Sequence, residues 1–142
     1  MKVRRSAELR AIPWGELFAV AEKVRARAYA PYSGFRVGAA VLTTKGAIAG
    51  GCNVENSSLG LSICAERNAI CAAISAAGRV KIVAIAVVTR TSRPCPPCGT
   101  CRQMLAEFGG ADLRVRSRTL GGAQASYRLD RLLPNAFGAQ FL

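Results

Sequence analysis

Cys64-Ala65-Glu66-Arg67, followed well downstream by Pro97-Cys98-Gly99-Thr100-Cys101-Arg102-Gln103, constrains this chain more than any other feature. Three thiols and a carboxylate so arranged can hold a zinc ion. Three protein ligands leave a fourth tetrahedral position for water, which distinguishes a catalytic zinc site from a structural one. The demand on the fold is specific. Cys98 and Cys101 are i and i+3 at the start of one predicted helix, so both thiols share one side of its first turn. Pro97 suits the approach to that helix. Cys64 begins another helix, so two positive helix ends must converge on one point, where they stabilise thiolates. Three thiolates overcompensate a dication and leave about one negative charge. Arg67 and Arg102 adjoin the ligand-bearing turns and can offset this excess by donating hydrogen bonds behind the ligands. Glu66 points about 200° from Cys64 on an ideal helix. At a first turn both still reach a point beyond the helix end. There Glu66 does not ligate; it takes a proton from zinc-bound water, whose pKa falls to about 7.

Spacing leaves a second arrangement open. Cys64, Cys95, Cys98 and Cys101 can form a closed structural site, because two P-C-x-x-C registers overlap between Pro94 and Cys101. Glu66 weighs against it, since a structural site has no use for a carboxylate there. Cys52 and Cys71 read as small core residues. The chain has no histidine, which removes Ser-His-Asp and Cys-His catalysis and every His-ligated metal site. Of eight carboxylates, Glu8, Glu16 and Glu22 read as solvated face, and Glu107, Asp112 and Asp130 sit near the ends of later elements. Glu55 and Glu66 stand out because their surroundings are apolar or small.

The C-x-x-C spacing favours metal over a disulfide framework and a reducing compartment. No apolar run is long enough to span a membrane, and no apolar signal core follows the basic start, so the expected location is cytoplasmic. A net charge of +12 attracts polyanions without specifying a function.

The chain reads as one domain, 1–142. Apolar spacing predicts a helix over 14–30, stopped by Pro31. Strands follow over 37–43 and 47–54, joined at Lys45-Gly46. An Asn-, Ser- and Gly-rich loop leads to a helix over 63–77, closed by Gly78. The β-branched run 80–89 reads as a central strand covered on both faces. A helix over 98–108 comes next, then a strand over 113–118 with Arg114, Arg116 and Arg118 on one face, read as a solvated strand near a sheet edge. A short strand over 123–129 and a helical turn over 130–133 complete the chain. The order α-β-β-α-β-α-β-β implies an α/β fold with partly parallel pairing.

These residues resemble the small homotetrameric zinc-dependent cytidine deaminases. The similarity runs from Ala30-Pro31-Tyr32-Ser33-Gly34-Phe35-Arg36-Val37-Gly38-Ala39-Ala40, through Gly51-Cys52-Asn53-Val54-Glu55-Asn56 and both cysteine motifs, to Leu132-Leu133-Pro134 and Phe137-Gly138. It implies a three-layer fold, a mixed five-stranded sheet flanked by helices. It implies hydrolysis of cytidine and/or deoxycytidine to the uridine product and ammonia, by zinc-bound hydroxide attack at C4. Cys64, Cys98 and Cys101 then bind zinc, and Glu66 shuttles protons to the ring nitrogen and the leaving amine. Asn53 and Glu55 match the ribose-binding pair, Phe35 the aromatic beside the pyrimidine, and the backbone at Ala65 the stretch that reads the base edge. Phe137 matches a residue that reaches a neighbouring subunit's pocket, which implies a tetramer with shared active sites. Pyrimidine salvage is the role the family suggests. Cys95 becomes an extra thiol in the loop.

Leu59 departs from the family, where many members carry Tyr. Its loss of a hydroxyl and change of shape point to a wider range of substrates, including cytidines modified at C5 or N4. The charge keeps polynucleotide cytosine in view as a substrate, although no aromatic interleaving holds a strand. A non-catalytic four-cysteine zinc protein is the reading from another class.

Overall fold

The computed structural model describes residues 11–142, so Glu8 and the basic start lie outside the described residues. The elements are α1 (Trp14–Arg25), β1 (Val37–Thr43), β2 (Ile48–Cys52), α2 (Ala65–Ala77), β3 (Ile82–Thr89), α3 (Gly99–Gly109), β4 (Arg114–Thr119), β5 (Gln124–Arg128) and α4 (Leu129–Leu132). The five strands form one sheet in the order β2-β1-β3-β4-β5. Among the described residues only β3 and β4 run parallel, joined by the α3 crossover; the other neighbours are antiparallel. The mixed sheet expected from the element order is therefore present.

Strand alternation sorts the core into two layers. Val37, Ala39, Val41, Ile85 and Val87 pack with Ala65, Ala69, Ile70 and Leu105 on the α2–α3 side. Ala40, Leu42, Ala84, Ala86 and Val88 pack with Leu17, Phe18 and Ala21 of α1 on the other. Because β1 and β3 are covered on both faces, they read as continuous apolar runs rather than alternating ones.

Two expectations change. Helix α1 ends at Arg25, short of Pro31. Tyr29 instead bridges Val54: its N–H donates to the Asn53 carbonyl at 3.1 Å, and its carbonyl accepts from Glu55 N–H at 2.8 Å. That long-range pairing unwinds residues whose local pattern is helical. Strand β4 lies near a sheet edge as expected, second from it beside β5, but it is less solvated than that reading has it. Two of its arginines stack on α1 while Arg114 is exposed: the Arg116 guanidinium lies 4.4 Å from the Trp14 ring centre, and Arg118 lies 4.4 Å from that of Phe18. Arg118 also pairs with Glu22 at 2.8 Å. Cys71 is exposed and Cys52 half-buried, so neither is a fully buried core residue.

Candidate active site

The two cysteine motifs meet at the ends of α2 and α3. Cys64 and Cys98 are the residues just before each helix, both with extended backbone. This resolves the angular problem of Cys64 and Glu66: Cys64 is not on the helix, so its thiol and the Glu66 carboxylate can face the same point. Asn68 N–H is the first to bond back, to the Cys64 carbonyl, and Arg102 N–H does so to Cys98. The preceding N–H groups of each first turn have no intrahelical acceptor, which concentrates positive potential at the sulfurs.

The three Sγ atoms lie within 4.8 Å of one another. Cys64 and Cys98 are 3.9 Å apart, Cys98 and Cys101 3.6 Å. Zn–S bonds of about 2.3 Å in a tetrahedron place sulfurs about 3.8 Å apart, so the cluster fits zinc with one position open. Cys95 stands outside the cluster, its thiol 3.7 Å from the Pro96 carbonyl oxygen. The closed four-cysteine arrangement is not formed.

Charge is distributed unevenly over the sulfurs. A hydrogen bond from Cys101, then those from Cys98 and Arg67, push the Cys64 pKa down to about 5 against the opposing effect of burial. The same Cys64–Cys101 contact, together with burial, pushes Cys101 up. Arg67 also donates from Nη2 to the Ser62 carbonyl at 2.9 Å, which steadies it beside Cys64. Arg102 does not act as expected. It donates to the Pro97 carbonyl at 2.7 Å and the Leu132 carbonyl at 2.8 Å, tying the second motif to the C-terminal segment rather than touching a thiol. Glu66 is only 6% exposed, and burial raises its pKa, with the Cys64 charge adding to the effect.

The cleft beside the cysteines has two lobes that share Phe35, Asn53 and Cys64. The inner lobe, about 160 Å³, is lined by Ala65, Glu66, Thr89 and Cys95 among others. The outer, about 420 Å³, adds Tyr32, Glu55 and Leu59. Asn53 already holds the chain before β1: Oδ1 accepts from Val37 N–H at 2.8 Å, and Nδ2 donates to the Phe35 carbonyl at 2.8 Å. Glu55 accepts from the N–H groups of Tyr32 at 2.9 Å and Ser33 at 3.3 Å, and from the Ser33 hydroxyl, whose bond leads in lowering its pKa. Each side chain retains hydrogen-bonding capacity, since an amide has two donors and a carboxylate about four acceptor sites. Sequence reasoning missed Ser33, which orients Glu55, and Thr89, which reaches the inner lobe from the end of β3. Ser33 lies within the 30–40 stretch that carries the resemblance, in the turn before β1, whereas Thr89, the last residue of β3, carries no motif signal.

Phe137 lies outside this chain's own cleft. It stacks on Phe141 at 5.6 Å, lines a different cavity beside Leu133, and its carbonyl accepts from Gln103 at 2.9 Å.

A donor set with one open position beside a buried carboxylate defines a hydrolytic zinc enzyme. Residues 15–116 match the cytidine and deoxycytidylate deaminase zinc-binding region. A cytidine deaminase of Halalkalibacterium halodurans is 49% identical over 123 residues, covering 85% of this chain and 92% of that protein. One from Mycobacterium tuberculosis is 44% identical over 131 residues, covering 89% and 91%. The crystal structure of cytidine deaminase from Burkholderia pseudomallei superposes with a TM-score of 0.84 at 44% identity, covering 89% of this chain and all of that one. The chain belongs to the cytidine and deoxycytidylate deaminase family, whose members bind zinc.

Proposed function

We propose that this protein hydrolyses cytidine and/or deoxycytidine to the uridine product and ammonia. The observation that carries the reading is the Cys64–Cys98–Cys101 cluster with buried Glu66 on the inner wall of the cleft. Zinc held by these cysteines supplies Lewis acidity and a water that is nucleophilic near neutral pH. Glu66 moves the protons: it takes one from the attacking water and gives it to the pyrimidine ring nitrogen, then takes the second from the hydroxyl formed at C4 and gives it to the departing amine, leaving the C4 carbonyl. Burial suits it, because a carboxylate with a raised pKa can hold a proton as well as accept one. Phe35 walls the base, and the unpaired N–H groups of the α2 first turn at Ala65 face the base edge. The remaining capacity of Asn53 and Glu55 serves the sugar hydroxyls, and an analogue lacking them leaves polar groups unmatched.

The further readings rest on the surface around the cleft. Tyr32, Leu59, Leu61, Ile63, Phe137 and Phe141 are all exposed apolar residues. Such surface supports association into a tetramer in which Phe137 completes a neighbour's pocket. Light scattering that gives one chain per particle refutes this. A cytoplasmic role in pyrimidine salvage accords with free thiols at the site and with the lack, among the described residues, of any helix long and apolar enough to cross a membrane. Leu59 lines the outer lobe and is 76% exposed. Its small, hydroxyl-free side chain leaves room for cytidines modified at C5 or N4. Leu59→Tyr should lower the kcat/KM for 5-methylcytidine relative to cytidine, and an unchanged ratio defeats that part of the proposal.

The direct test is to follow ultraviolet absorbance after adding cytidine to zinc-loaded protein, with Glu66→Ala as the blank. Loss of the cytidine signal with the wild type alone is the expected result. No loss in either removes cytidine as the substrate.

A further inference from the structure

Arg25, Arg36 and Arg90 line a cavity of about 290 Å³ together with Gly34 and Phe35. The topology brings them together. Val37 pairs with Thr89 across β1 and β3, so Arg36, just before β1, and Arg90, just after β3, leave the same end of the sheet side by side. Arg25 is the last residue of α1, and α1 lies close on β1: a Cβ at Gly38 would stand 2.6 Å from that of Arg25. Close packing at Gly38 therefore fixes where the Arg25 stem begins.

None of these three arginines forms an ion pair among the described residues. The ion pairs formed there involve only Arg118 and Arg128. Glu22, whose charge reaches Arg25, is held by Arg118. The Nε of Arg25 is buried without a hydrogen-bond partner. Burial, then Arg90 and Arg36, lower the Arg25 pKa, yet a guanidinium stays protonated at any physiological pH. Three like charges around one concavity repel, and a buried N–H without an acceptor adds to the cost. A compact dianion with several acceptor oxygens relieves both, and guanidinium groups match phosphate geometry better than any other side chain.

We propose that Arg25, Arg36 and Arg90 form a binding site for a phosphate group, apart from the cysteine cluster and joined to the nucleoside cleft by Phe35, which lines both. The phosphate comes either as the free ion or as the phosphate of a cytidine nucleotide. The site stands whether or not the deaminase reading does, because binding is read without turnover.

Calorimetric titration at constant ionic strength tests it, with inorganic phosphate and with cytidine 5′-monophosphate as probes. The proteins are the wild type, Arg90→Glu and Arg36→Ala, each checked for folding by its thermal transition. Phosphate should bind the wild type and bind Arg90→Glu at least tenfold more weakly, while cytidine turnover by that variant stays at the wild-type level. Arg36→Ala should show a smaller loss in the same direction. If the nucleotide binds more tightly than phosphate and each displaces the other, the nucleotide is the ligand; equal affinities identify free phosphate. Equal phosphate affinity in all three proteins, or none in the wild type, overturns the proposal.

Discussion

Substituting Gly51 by alanine tests whether the metal site depends on the seating of α2. Gly51 lies in β2 beneath the first two turns of that helix. An added Cβ would stand 2.6 Å from the Ala65 carbonyl oxygen, and closer still to the Ala69 N–H nitrogen. Both are backbone atoms, so no side chain can swing aside. Reaching ordinary contact at 3.4 Å requires the helix to retreat by about 1.1 Å at the nearer of these atoms. Overpacking of this kind costs roughly 1–3 kcal/mol, which for a domain of this size lowers Tm by roughly 4–12 °C. Function should suffer more than stability. The retreating helix carries Cys64 at its start and Glu66 in its first turn, and a misplacement of about 1 Å at reacting groups can cost about 100-fold in rate. Gly50→Ala and Gly60→Ala are the controls. A Cβ at Gly50 meets only Val20 and Val24 side chains, and one at Gly60 meets nothing within 4 Å. Thermal unfolding, zinc release to a chromogenic chelator and cytidine turnover should be measured on all three. A Gly51→Ala protein with the Tm, zinc retention and turnover of the Gly60→Ala control refutes the reasoning.

Three further outcomes are expected. Cys95→Ala should retain zinc, whereas Cys101→Ala should lose it and its turnover, as elemental analysis after dialysis will show; zinc loss from Cys95→Ala contradicts the three-ligand cluster. Arg116→Ala should lower stability by about 0.5–1 kcal/mol through loss of the Trp14 contact, read by urea unfolding, with turnover unchanged. Asp130, held below its ordinary pKa first by its hydrogen bond with Arg128, contributes stability that is present above its unfolded pKa of about 3.9 and is lost as pH falls through its lower folded value. Asp130→Asn should therefore lower stability slightly at neutral pH, leave it unchanged at the acid extreme, and so flatten the acid limb of the stability curve below about pH 4.

The groups of the proposed site were legible in sequence because their spacing is local. Cys64-x-Glu66 and Cys98-x-x-Cys101 each sit on one helix start, where short-range geometry places side chains. Hydrophobic period located most elements for the same reason: β1 spans the residues that the apolar run 37–43 indicates, and α2 closes at Gly78 as composition suggests. The absence of histidine alone excluded whole classes of catalyst. What sequence could not decide was set by contacts between distant residues. Spacing left Cys95 as eligible as its neighbours; the resemblance set it aside, and the meeting of two helix ends leaves it outside the cluster of three thiols. Helical periodicity ran past Arg25, but pairing of Tyr29 with Val54 ended the helix. The alternating arginines of β4 looked solvated until α1 brought Trp14 and Phe18 beneath Arg116 and Arg118. Arg102 adjoins a ligand in sequence yet clamps carbonyls from two segments. Arg25, Arg36 and Arg90 carry no motif at all, and only the β1–β3 register and the close seat of α1 make them neighbours. Residue type and local spacing determined which groups were available for chemistry; long-range pairing, which costs chain entropy and is repaid only in the assembled fold, decided which of them meet.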